Sequence, residues 1–204
     1  MKIKTFELEK ELPYYRHTSP KTANYGMTHL INLVGDDIIY VETGVSRGGS
    51  ISSVVQRCTN IKVAYGVDFY QPNTDEFEKR ATYYSLEKQN NAYQRAKSLI
   101  QSSGHKDKIT LILEDVSVAK DYFEDNSIDF LFLDHYLNQS DVELCLVEWY
   151  NKVKIGGYFS GHDWAYRGVN TPIKEFREKY NISSPLSVFG AEWVWKKEEN
   201  IWPL

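Results

Sequence analysis

Two acid–histidine pairs are the groups in this chain best able to do chemistry: Asp134-His135 in FLDHY and His162-Asp163 in SGHDW. Each follows a compact apolar run, so each lies just beyond a buried strand, and the two pairs are expected to face one another. An imidazole with an ordinary pKa of about 6.5 suits the removal of a proton near neutrality. Carboxylates at the same place could instead hold a magnesium-like divalent cation through oxygen and acidify a hydroxyl bound to it. Asp134, His162 and Asp163 are therefore the catalytic candidates, and Asp134 with Asp163 the candidate cation ligands. His135 is read as a contact to a bound cofactor. For either histidine alone, capping a helix or packing at a strand end is the plainer role; two at neighbouring strand ends shift the balance towards function.

A second group lies in IIYVETGVSRGGSISS, where an apolar strand runs into glycines and then into a helix, with Glu42 two places before the first glycine. Gly44, Gly48 and Gly49 allow a tight turn and a close approach of ligand to backbone, while the free N–H groups of the new helix face that ligand. A dinucleotide fingerprint would want a glycine at position 46, which is Ser46. Glu42 repels a pyrophosphate and attracts an ammonium or a sulfonium, so the turn is read as favouring a cationic ligand. Gly44, Ser46, Gly48 and Ser50 are expected to line it, with Arg47 as a solvated residue or a partner for a ligand carboxylate. Asp68 in GVDFY and Asp115-Val116 in EDVS close two further apolar runs and join the same expected cleft. A lone aspartate at a strand end is equally a turn or capping residue.

The elements that must position these residues are short apolar runs alternating with longer amphipathic ones, the pattern of βαβ units and a mainly parallel sheet. Strands are predicted over residues 38–43, 62–70, 109–115, 128–135 and 156–164, with a helix from Ser50 to Cys58 and a long one over 75–104 that Gly104 ends. PLSVFGAEWVWKKEE alternates around Gly190-Ala191 and reads as a hairpin of two strands. The fold class is α/β, a Rossmann-like three-layer sandwich with a seven-stranded sheet and an antiparallel C-terminal hairpin. Ligands of such sheets bind beyond the carboxyl ends of the strands, where all the candidate residues fall. RHTSPKTANYG reads as loop, residues 1–30 as a lead-in that caps the cleft, and HDWAYRGVNTP as the loop that meets an acceptor.

Composition narrows the partners. A chain of 204 residues with 42% hydrophobic and 25% charged residues is expected to form one domain. A net charge of −4 argues against nucleic acid, and no run has the length of a signal or membrane span. A cytoplasmic protein acting on a small molecule, with at most further copies of itself as partners, is the expectation. Cys58 and Cys145 fall in apolar helical context and read as buried thiols.

With these residues in place, the chain resembles the class I S-adenosylmethionine-dependent methyltransferases. Their acid-x-Gly-x-Gly-x-Gly turn is matched by ETGVSRG with serine at the middle glycine. The resemblance implies that Asp68 takes the ribose hydroxyls, that Asp115 and Val116 line the adenine pocket, and that Glu42 lies near the methionyl part. FLDH and its spacing to GHD resemble both the metal-dependent catechol-type O-methyltransferases and a family of sugar- and natural-product-directed methyltransferases with a GHD pattern. The catechol-type enzymes carry an Asp-Asn pair after strand five, where this chain has His162-Asp163, and a lysine where it has Leu137. The resemblance thus implies S-adenosylmethionine as cofactor, a small acceptor methylated at oxygen, and a divalent cation such as magnesium if Asp163 alone serves after strand five. Two rivals stay open: a nicotinamide-dependent oxidoreductase using the same turn and Asp68, and a non-catalytic member of the fold.

Overall fold

The computed structural model describes residues 25–71, 85–135 and 138–201. A seven-stranded sheet runs in the order β3-β2-β1-β4-β5-β7-β6. The strands are β1 (Ile38–Thr43), β2 (Ile61–Val67), β3 (Ile109–Ile112), β4 (Ile128–Leu133), β5 (Val153–Gly161), β6 (Ser187–Phe189) and β7 (Glu192–Lys196). The first five pair in parallel, and β7 runs antiparallel to β5 and β6. IDFLFL is almost wholly apolar because a central parallel strand is covered on both faces.

Three helices pack on one face: α1 (Tyr25–Val34), α2 (Gly49–Arg57) and α3 (Leu86–Ser102). Met27, Leu30, Ile51, Val54, Ala96 and Ile100 meet Tyr40, Phe130, Phe132 and Val194 there. The other face is covered by α4 (Val116–Ala119), α5 (Gln139–Tyr150) and α6 (Arg167–Lys179). Leu146, Trp149, Ile173 and Phe176 pack on Val41, Leu131, Phe159, Trp193 and Trp195. Both cysteines are free and buried. None of the described helices is long and apolar enough to cross a membrane.

Strand order reverses between β1 and β4, and such a switch point opens a crevice at the strand carboxyl ends. The sequence placed all seven strands, with ends that differ: β2 stops at Val67, beyond which Asp68 accepts the N–H groups of Ser46 and Tyr70, and β3 stops at Ile112, short of Asp115, which accepts the Ser117 N–H.

Three other expectations shift. The described part of the long helix begins after Ser85, whose Oγ accepts the Lys88 N–H, and residues 75–84 lie outside the described residues. Tyr25 and Gly26, read as loop, open α1, and Met27 and Leu30, read as part of a cap, are core residues; residues 1–24 lie outside the described residues. The loop read through Pro172 ends at Arg167, where α6 begins. Pro172 sits in the second turn of α6, where burial of Val169, Ile173 and Phe176 outweighs the one hydrogen bond that it removes.

Candidate active site

The glycine turn is fixed by a close approach. Gly44 has φ of 82°, its N–H donates to Val67 O at 2.8 Å, and a Cβ there would lie 2.0 Å from the carbonyl oxygen of Asp134. Only glycine fits, and the turn after β1 is thereby set against the end of β4. Asp68 closes the turn from β2: its carboxylate accepts the Ser46 N–H at 2.8 Å and the Tyr70 N–H at 2.9 Å. Burial raises its pKa, against the pull of those two donors. Gly48, with φ of 76°, precedes α2 without a side-chain cap, and in the first turn of α2 the Ile51 N–H turns back to Glu42. Arg47 is exposed.

Glu42 lies beneath this turn. It is fully buried and accepts the Tyr40 hydroxyl at 2.7 Å. Desolvation pushes its pKa up to about 7, while Tyr40, Ser50 and the Ile51 N–H pull it down. Asp115 caps α4, accepting both the N–H and the hydroxyl of Ser117 at 2.9 and 2.6 Å. Val116 packs into the core, and its carbonyl accepts the Trp149 indole N–H at 3.1 Å.

Asp134 and His162 continue the parallel ladder beyond β4 and β5, the Asp134 N–H donating to Thr43 O and the His162 N–H to Leu133 O, each at 3.0 Å. His162 Nδ1 lies 3.2 Å from Asp163 Oδ1 and 3.7 Å from Asp134 Oδ1. Asp163 holds φ of 61°, a left-handed conformation uncommon outside glycine. Burial drives Asp134 up to about 8, with His162 acting the other way. Burial works to lower the His162 pKa, but the hydrogen bond to Asp163 and the charges of Asp134, Asp163 and Glu192 together raise it. One ligand atom from each of Asp134, His162 and Asp163 falls within 4.8 Å of the others, so the three could hold a cation. A recess beside them is walled by Leu133, Val142, Val169 and Trp193.

His135 takes a different place. One ring nitrogen is 2.6 Å from Thr43 Oγ1 and the other 3.1 Å from Cys145 Sγ, tying β1 to α5. Burial lowers its pKa to about 3, so the ring is neutral. Of the predicted residues, the structure brings Asp134, His162 and Asp163 together at one end of the crevice. It gathers Glu42, Gly44, Ser46, Gly48, Ser50 and Asp68 around the turn, and sets Asp115 and Val116 at the head of α4.

Sequence reasoning missed Glu192. In β7, Gly161 pairs with Trp193, so the next step of the register sets His162 opposite Glu192. Glu192 is 5% exposed and takes the Met27 N–H in the first turn of α1; desolvation raises it to about 7, with His162 opposing. The signal was present: Glu192 and Val194 alternate onto one face, and Val194 is core.

The sequence pattern of the family described as "Methyltransferase domain" matches residues 41–164, from β1 through both acid–histidine pairs. The chain belongs to this family. It is an S-adenosylmethionine-dependent methyltransferase, and the fold agrees. The O-methyltransferase NovP superposes with a TM-score of 0.61 at 15% identity, over 93% of each chain. An S-adenosylmethionine-dependent O-methyltransferase from Thermotoga maritima gives 0.61 at 14% identity, over 97% of this chain and 72% of that one. An rRNA methylase from Streptococcus thermophilus gives 0.58 at 13% identity, over 91% of this chain and all of the other. At such identities these likenesses bear on the fold alone. A search of curated protein sequences finds no match.

Proposed function

We propose that this methyltransferase moves a methyl group to an oxygen of a small-molecule acceptor, and that Asp134, His162 and Asp163 manage the acceptor's proton. The observation that carries the reading is the grouping of those three side chains at the ends of two adjacent parallel strands, beside the Gly44 turn. S-adenosylmethionine supplies an electrophilic methyl on a sulfonium that leaves as a neutral thioether. The residues around the turn suit it: a Gly44 position that admits no side chain, an uncapped helix end, and the carboxylates of Asp68 and Glu42. A hydroxyl needs a base as its oxygen takes the methyl. The Asp134–His162 pair accepts that proton, with the carboxylate raised to about 8 and so a stronger base than an ordinary one. Asp163 holds the imidazole through Nδ1. The apolar walls of the recess bound the pair on one side, while both side chains stay part-exposed to an incoming acceptor.

A second reading rests on the same three ligand atoms. Two carboxylates and an imidazole fit a cation that also accepts nitrogen, zinc best and manganese after it, better than magnesium, which favours oxygen ligands alone. Such a cation would acidify the bound hydroxyl. The chain's net charge of −4 supports a small molecule over RNA.

The test is transfer of radiolabelled methyl from S-adenosylmethionine to a panel of sugars, phenols and ribosomal RNA, with chelator or added manganese. The reading expects O-methylation of a small acceptor that Asp134→Asn and His162→Ala abolish while leaving S-adenosylhomocysteine bound. Transfer to RNA or to nitrogen, or full activity in both variants, would overturn it.

A further inference from the structure

On the α5–α6 side of the sheet, at the opposite end from the acid–histidine pairs, four residues in contact bury polar atoms that meet nothing. Arg177, on the last turns of α6, is 3% exposed, and it lies among Tyr150 of α5, Trp195 of β7 and Ser184, none more than 2% exposed. The Arg177 guanidinium stacks 4.9 Å from the Trp195 ring, and one of its terminal nitrogens donates to the carbonyls of Ile182 and Ser184. Its Nε and other terminal nitrogen have no hydrogen-bond partner, nor do Trp195 Nε1, Tyr150 Oη and Ser184 Oγ. The Trp195 indole faces the Tyr150 hydroxyl and holds its pKa down against burial, without reaching hydrogen-bonding geometry.

The charge is uncompensated too. None of the ion pairs among the described residues involves Arg177, and the acid whose field reaches it, Glu198, is exposed. Buried charges in proteins are paired, and buried donors are satisfied. Three of the five orphaned atoms, two on arginine and one on tryptophan, can only donate, and the two hydroxyls can also donate. A water could accept about two of these bonds and place its own protons on the two hydroxyls, but it leaves the buried guanidinium charge unbalanced. A small anion brings the missing negative charge and offers acceptors only, which matches the arginine donors.

We propose that Arg177, Tyr150, Trp195 and Ser184 form a buried binding site for one small monovalent anion, of halide or formate size, which bridges α5, α6 and β7. The site is remote from the proposed transfer chemistry and independent of it. An anion there completes the packing of α6, the helix whose start follows His162-Asp163, so its first effect is on stability.

The experiment pairs diffraction with melting of the full chain. Crystals equilibrated in sodium bromide are measured at the bromine edge, and melting temperature is followed as sodium chloride replaces sodium gluconate at constant ionic strength. The proposal expects an anomalous peak among Arg177, Tyr150 and Trp195. It also expects a rise of about 5–10 °C once chloride reaches roughly 100 times its Kd, a rise that Arg177→Met abolishes and that Trp195→Phe and Tyr150→Phe each reduce. The two aromatic variants keep the test open should Arg177→Met not fold. Water alone at the site, bromide only elsewhere on the surface, or the same chloride response in Trp195→Phe and Tyr150→Phe as in the parent overturns it.

Discussion

Replacing Gly44 with alanine tests whether the turn after β1 and the end of β4 are one rigid unit. The added Cβ would lie 2.0 Å from Asp134 O, 2.6 Å from Asp134 C and 2.9 Å from His135 Cα, all backbone atoms, and alanine would have to hold φ of 82°. The left-handed conformation alone costs about 1–2 kcal/mol, and displacement of a buried strand end adds at least as much, typical of overpacking at about 1–3 kcal/mol. A total of about 3 kcal/mol corresponds to a fall in melting temperature of roughly 6–12 °C for a chain of this size. Gly49→Ala is the control: nothing lies within 4 Å of its Cβ, and it sits in the first turn of α2, where alanine is neutral or stabilising by up to about 1 kcal/mol. Calorimetric melting of both variants, with S-adenosylhomocysteine titrated into each, expects Gly44→Ala to lose stability and ligand affinity together while Gly49→Ala keeps both. Equal melting temperatures and affinities in the two would refute the claim that backbone contact couples the turn to Asp134.

Three further outcomes follow from the site's electrostatics and contacts. Glu42, Asp134 and Glu192 are raised to about 7, 8 and 7, above ordinary carboxylate values, and His162 is raised as well. Raised groups bind more protons folded than unfolded, so their stabilisation is lost as pH rises through those values. His135, lowered to about 3, opposes this only below its unfolded value near 6.5. Melting temperature should therefore fall between pH 6.5 and 8.5, and a flat or rising curve there would count against the buried acids. Glu192→Gln keeps an acceptor for the Met27 N–H but cannot ionise; it should melt no lower than the parent at pH 8.5 and shrink that fall, and a marked loss at pH 8.5 would show that the charge itself is needed. His135→Ala strands the Thr43 hydroxyl and the Cys145 thiol and opens a cavity, which costs about 2–3 kcal/mol by denaturant unfolding; a loss under about 0.5 kcal/mol would show that the ring ties nothing together.

How far the sequence carried can be judged from particular residues. Alternation, glycine punctuation and apolar runs located all seven strands and the reversal at the hairpin, because those patterns follow from burial on two faces and from backbone sterics. Asp134, His162 and Asp163 were legible as a group because parallel strands deliver their ends to one edge. The partners of His135 were not: whether its ring meets a ligand or wedges between Thr43 and Cys145 depends on where α5 packs. Glu192 was hidden for a similar reason, since cross-strand opposition to His162 needs the register of β5 against β7. The start of α6 was obscured by Pro172, which reads locally as a stop although tertiary packing carries the helix through it.

The measurement that tests the central claim most directly is calorimetric titration of the purified protein with S-adenosylhomocysteine and, in parallel, with NAD, repeated on Asp68→Ala. The account predicts micromolar binding of S-adenosylhomocysteine, none of NAD, and at least a tenfold weakening in the variant, whose loss removes the acceptor for the Ser46 and Tyr70 N–H groups and so opens the turn. NAD binding with no response to S-adenosylhomocysteine would contradict it.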